Sequence, residues 1–151
     1  MLHALTIRNL ALIEAVEMRF EPGLNVLTGE TGAGKSILLD AFGFVLGLRG
    51  RADLVRPGAE RGEVEAVLRL APGHPADGVL EAAGLAAAGE LVLRRLLGRD
   101  GRSQAFVNDR RAAAESLRAL ADVLVEMHGQ HDDRGLLDAR CHLALLDAFM
   151  G

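Results

Sequence analysis

Gly29-Glu30-Thr31-Gly32-Ala33-Gly34-Lys35-Ser36 matches every position of the phosphate-binding pattern G-x-x-x-x-G-K-[ST]. Lys35 is the single lysine of a chain whose other basic residues are all arginine. A compact ammonium on a flexible stem reaches β- and γ-phosphates in a way a planar guanidinium fork does not. The glycines allow backbone turns that a Cβ forbids and let N–H groups crowd around phosphate oxygens. Ser36 supplies a hydroxyl to Mg²⁺. Upstream, Leu24-Asn25-Val26-Leu27-Thr28 follows a Pro22-Gly23 turn and is expected to be a strand. Downstream, Ser36 to Leu46 is almost entirely apolar and is expected to be a buried helix. Its N-terminus would add its dipole to the phosphate site. Strand, glycine loop and helix in that order predict an α/β, P-loop fold.

The composition sets bounds. A chain of 151 residues suggests one domain, half apolar and a quarter charged. With five Phe and no Trp or Tyr, the core must be aliphatic. A net charge of −4 argues against nucleic-acid binding by bulk electrostatics but leaves local patches open. The single Cys141 excludes an internal disulfide and fits a reducing cytosol. No apolar run reaches the roughly 18 residues of a membrane span.

Residues 3–8 and 11–20 alternate in polarity and are expected to form two antiparallel strands joined at Arg8-Asn9-Leu10. A Gly- and Arg-rich loop over 47–62 holds a short turn near Ala52 to Val55. Glu63 to Leu70 alternates as a strand, and Val79 to Gly89 is expected to be a short helix. Glu90 to Leu97 and Arg102 to Asn108 predict a hairpin across Gly98-Arg99-Asp100-Gly101. Ala112 to Asp122 has helical spacing, and Val123 to Met127 turns β-like. From Arg134 to Met150, Leu136, Ala139, Leu143, Leu146 and Met150 follow the a/d spacing of a heptad seam. Two heptads suit either an amphipathic surface helix or the start of a coiled coil.

Nucleotide binding is better supported than hydrolysis. A P-loop ATPase also needs an acidic residue on a second core strand to hold Mg²⁺, and a group that orients water. Val123-Leu124-Val125-Glu126 is the nearest acidic candidate, with three apolar residues and Glu where Asp is expected. Gln130, in Met127-His128-Gly129-Gln130-His131-Asp132, is placed to reach the metal and its water. Asp132-Asp133-Arg134-Gly135 fits a GTPase D-x-x-G, but the guanine-reading N-K-x-D is missing. Arg94, Arg95, Arg99, Arg102, Arg110 and Arg111 gather on the hairpin, as a solvated face or as a contact for DNA phosphates or a partner subunit. A self-contained P-loop kinase or GTPase, and a non-catalytic nucleotide-binding interaction module, are the alternative readings.

Three stretches carry a resemblance. They are Leu5 to Leu10 with Phe20 to Ser36, then Ser103-Gln104-Ala105-Phe106-Val107-Asn108, then His128-Gly129-Gln130-His131. In this order they resemble the N-terminal half of the ATPase head of the RecN family. These are bacterial DNA double-strand-break repair proteins of the SMC-like branch of ABC-type ATPases. The resemblance implies a head half over 1–133, with a peripheral antiparallel β lobe. It implies the base of a coiled-coil arm over 134–151, continuing beyond it. Gly29 to Ser36 would hold ATP, Lys35 would act on the transferred phosphate, and Ser36 with the Q-loop Gln130 would bind Mg²⁺. Arg49, after the P-loop helix, would assist hydrolysis, and Arg8 would lie near the phosphates. The implied partners are the C-terminal half of the same head, a second head across an ATP sandwich, and DNA. No membrane partner is implied, and the location is cytoplasmic and nucleoid-associated. The signature motif and a convincing metal-binding aspartate are not found, so turnover by this stretch alone is not expected. Asp109 stands where the family often has Gly, in a turn that Asp also tolerates.

Overall fold

A computed structural model of the chain describes residues 1–28, 33–85 and 89–126. Six strands form one antiparallel sheet: β1 (Leu2–Leu10), β2 (Ile13–Arg19), β3 (Arg61–Arg69), β4 (Glu90–Gly98), β5 (Ser103–Val107) and β6 (Arg110–Ala112). Their order is β2-β1-β3-β4-β5-β6. β3 thus sits between the N-terminal hairpin and the 90–108 hairpin and joins them into one sheet. Three helices accompany it: α1 (Ala33–Val45), α2 (Ala76–Ala82) and α3 (Ala114–Leu124).

Strand alternation decides the two faces. Leu5 and Ile7 of β1, Val64, Ala66 and Leu68 of β3, and Leu91, Leu93 and Leu97 of β4 are all buried in one core with Ala41, Phe44 and Val45 of α1. Leu80 of α2 and Leu117 and Leu120 of α3 complete it. Between them, Thr6, Arg8, Glu63, Glu65, Arg94 and Phe106 lie on the other face, where Arg94 stacks on the Phe106 ring at 4.8 Å. The fold is therefore two layers, helices against one face of a sheet whose other face is polar.

The turns differ slightly from expectation. β1 runs on to Leu10, opposite Ile13, so the first hairpin turns at Ala11-Leu12 and not at Arg8 to Leu10. Asn9 and Ala11 have φ of 51° and 49°. The second hairpin follows the predicted Asp-Gly turn. After it, Asn108 and Asp109 take φ of 47° and 61° and reverse the chain into β6, which the sequence reading did not include. Asp109 does tolerate this conformation, as expected. α2 begins three residues earlier than predicted, at Ala76, whose amide donates to His74 Nδ1 at 3.1 Å.

The larger difference is Leu24 to Thr28. It belongs to no strand, and Leu24, Val26 and Leu27 are 92%, 69% and 55% exposed. Its β propensity is real, but a strand needs a neighbour. Every described strand is already committed to the antiparallel sheet, and no parallel pair exists among the described residues. The strand expected over Leu24 to Thr28 is thus not formed among the described residues, while the α/β arrangement of sheet and helices is. The helix expected over 134–150, with its heptad seam, lies outside the described residues.

Candidate nucleotide site

α1 starts at Ala33, inside the P-loop motif, and carries Gly34, Lys35 and Ser36 in its first turn, all exposed. Gly29 to Gly32 lie outside the described residues, as does Gln130. A Cβ built on Gly34 would meet no described atom within 4 Å. Packing by described residues therefore does not require glycine there. An open cavity of about 330 Å³ adjoins this turn. Lys35, Gly34 and Leu38 of α1, Leu27 and Thr28, and Ile13, Val16 and Met18 of β2 line it. The cavity is thus apolar along β2 and is bordered by Gly34 and Lys35 in the first turn of α1.

The opposite end of α1 is held by two arginines. Gly47, at φ 103°, ends the helix, and the Leu48 amide donates back to the Gly43 carbonyl at 3.0 Å. Arg95 Nη1 donates to the carbonyls of Phe44 and Leu48 at 2.8 and 2.9 Å, and its Nη2 donates to Ser103 Oγ at 2.8 Å. Its guanidinium lies 4.1 Å from the centre of the Phe44 ring. Arg118 Nε donates to the Gly47 carbonyl at 3.0 Å. Carbonyls at the negative end of the helix dipole thus meet two cations, while the positive end carries Gly34, Lys35 and Ser36. Burial first, and then the charge of Arg118, lower the Arg95 pKa to about 10. Ionisation alone therefore costs stability at this position, and the hydrogen bonds and ring contact offset it.

Of the six hairpin arginines, Arg95 is not part of a solvated face. It is 3% exposed, on the core side of β4 between Leu93 and Leu97. Arg94 points to the other face and pairs with Glu63 at 3.8 Å and Asp109 at 3.3 Å. Two further residues from the sequence reading lie away from Lys35. Arg8 is exposed on the face opposite the described helices, beside Glu17, Glu63 and Glu65. Arg49 follows the C-terminal end of α1, and a 13-residue helix is about 20 Å long. Among the described residues no cluster of three or more His, Cys, Asp or Glu could hold a metal ion.

An AAA domain family matches residues 4–72. The DNA repair protein RecN of Halalkalibacterium halodurans is 46% identical over all of this chain. Those of Xylella fastidiosa and Bacillus subtilis are 44% and 43% identical over 99% and 100% of it. The chain belongs to the RecN family. It spans about 27% of the length of the RecN proteins of H. halodurans and X. fastidiosa. Among solved structures, an SMC ATPase described for ATP-driven dimerization and DNA-stimulated activation has a TM-score of 0.69. It is 22% identical and covers 98% of both chains, which speaks to the fold. The Smc head domain of Pyrococcus yayanosii, with a coiled coil and joint, is 26% identical at TM-score 0.64. That match covers 81% of this chain and 25% of its own. The RecN family and these heads fit the α/β, SMC-like head half read from the sequence. No described helix is long and apolar enough to cross a membrane.

Proposed function

We propose that this chain is the ATP- and Mg²⁺-binding half of an SMC-like DNA-repair ATPase head. The observation that carries this reading is a complete P-loop at the exposed N-terminus of α1, in a chain that matches RecN proteins from end to end. That breadth does not favour a self-contained kinase or GTPase. In the proposed site Gly29 to Ser36 wrap the phosphates, Lys35 neutralises charge as it moves, and Ser36 and Gln130 hold Mg²⁺. Mg²⁺, when bound, would offset the charge of the phosphates. Arg8, exposed on the sheet face opposite α1, would act near the phosphates only if bound nucleotide reaches that face. Arg49 lies at the far end of α1 from Lys35, so its use would require nucleotide held by another head.

The remaining parts of the reading concern the whole protein. Leu24 to Thr28 would become a strand when the C-terminal half of the head places strands beside it. The helix from 134 would begin a coiled-coil arm. Nucleotide held between two heads would join them, and the assembly would work on broken DNA in the bacterial cytoplasm and nucleoid.

Two measurements test this. Mg-ATP at 100 times its Kd should raise the stability of the folded chain by about 2.7 kcal/mol. Lys35→Ala should abolish that gain while leaving the ligand-free chain within about 0.5 kcal/mol of wild type, because Lys35 is exposed. Loss of the ligand-free melting temperature with ATP binding intact would make Lys35 structural. The second measurement is hydrogen exchange. The amides of residues 24–28 should exchange without protection in this chain and become protected in the complete head. Unchanged exchange there would count against a strand completed by the other half.

A further inference from the structure

We propose that the end of the sheet carrying Arg61, Arg99 and Arg102 binds the phosphodiester backbone of DNA. The inference rests on the DNA-repair reading above and names the surface it would use. The antiparallel register brings these residues together from separate parts of the chain. Arg61 opens β3 opposite Gly98, the last residue of β4, so Arg99 stands on the neighbouring strand end. The Arg99 amide donates to the Glu60 carbonyl at 3.0 Å, which ties the two strand ends. Arg102 closes the same turn, its amide bonded to Asp100 Oδ1 at 3.0 Å. The loop with Arg49 and Arg51 borders them, since a Cβ built on Gly101 would lie 3.9 Å from that of Ala52.

Charge at this end is locally positive although the chain is net negative. Asp53 and Asp100 are engaged by Arg51 at 3.2 Å and Arg102 at 3.5 Å. Glu60 is the other carboxylate here. Arg61 and Arg99 have no ion pair among the described residues, and both are exposed. The Arg102 side chain is 89% exposed. A surface built only for solubility would intersperse the signs evenly. The guanidinium forks of Arg61 and Arg99, on adjacent strand ends and without an ion pair among the described residues, instead suit the oxygens of successive phosphates, with the exposed Arg102 beside them still shared with Asp100. The surface adjoins the C-terminal end of α1, away from Lys35, so DNA and nucleotide contacts are separable by mutation.

The test uses the complete protein, a fluorescent DNA duplex of arbitrary sequence, and salt from about 50 to 200 mM. The triple variant Arg61→Ala, Arg99→Ala, Arg102→Ala is compared with wild type and with the matching triple Lys variant. Each lost phosphate contact lowers the slope of log K against log salt by about 0.9, so the triple Ala variant should lose about 2.7. The triple Lys variant should keep most of the slope. ATP affinity without DNA should stay within about twofold of wild type in both. Should the triple Ala variant melt early, Arg99→Ala alone should still lower the slope by about 0.9. An unchanged slope, or a wild-type protein that does not bind the duplex, overturns the proposal. An unchanged slope with weakened self-association assigns the surface to a protein contact and overturns it too. Failure of the head reading itself shows separately, as wild type that does not bind ATP.

Discussion

Residues 1–151 alone should release phosphate from ATP far below the roughly 1 s⁻¹ low end of ordinary enzymes. Adding the rest of the head should restore turnover. Phosphoryl transfer is driven by positioning and by neutralising charge around the γ-phosphate. The described part supplies a helix N-terminus, Lys35 lining an open cavity, and the exposed Ser36 hydroxyl. Loss of one preorganised electrostatic donor typically costs about 10²- to 10³-fold in rate, and here several are missing together. Glu126 is the nearest acidic candidate for the metal, two residues beyond the end of α3 and exposed. In the restored head, Gln130→Ala should lower hydrolysis more than ATP binding. Turnover near 1 s⁻¹ by residues 1–151, abolished by Glu126→Gln, would instead make this a self-contained enzyme.

Arg95→Met should destabilise the fold by about 2–4 kcal/mol, about 4–16 °C in melting temperature for a chain of this size. Two effects oppose each other. Removing a buried cation relieves a desolvation cost, expressed in the lowered pKa of Arg95. Replacing buried ion pairs with apolar residues can even stabilise a protein. Here, however, no carboxylate leaves with the arginine. Its hydrogen-bonded partners are two backbone carbonyls and the Ser103 hydroxyl. The carbonyls cannot be removed by mutation, and a buried acceptor without its donor costs about 1–3 kcal/mol. The losses should therefore win. Arg95→Lys should recover only part, because one ammonium cannot replace a fork that bridges α1 and β5 while stacking on Phe44. Urea unfolding of the three proteins decides the matter. An Arg95→Met variant as stable as wild type would mean that desolvation outweighs the hydrogen bonds.

Much of this was legible in the sequence because the signals were local. The alternation in Glu63 to Leu70, the Asp-Gly turn and the apolar run after Lys35 each specify an element without reference to the rest of the chain. Leu24 to Thr28 has an equally clear local signal, but strand formation depends on a partner, and pairing is not encoded locally. β6 is not legible in the same way, because Arg110 to Ala112 is too short to show alternation, although Asn108 and Asp109 both suit a left-handed turn. Arg95 could have been found. Period-2 spacing from Leu91 and Leu93 to Leu97 places it on the core face, a stronger argument than its membership of a run of arginines. The site was legible as a motif and not as geometry: the motif names Lys35 and Ser36 but cannot say that Arg8 lies on the far face or Arg49 beyond the far end of α1.

The edges of the sheet have a consequence for how the molecule behaves in a crowded solution. Leu24 to Leu27 is an exposed, strand-prone segment, and such segments invite pairing with any free edge nearby. One edge of this sheet is β2, which carries Glu14, Glu17 and Arg19, and the other is β6, only three residues long. Charge on one and brevity on the other make both poor templates for the same segment of a neighbouring copy. The fold thus leaves the exposed segment without a ready home on a second copy of the chain, which limits aggregation through it.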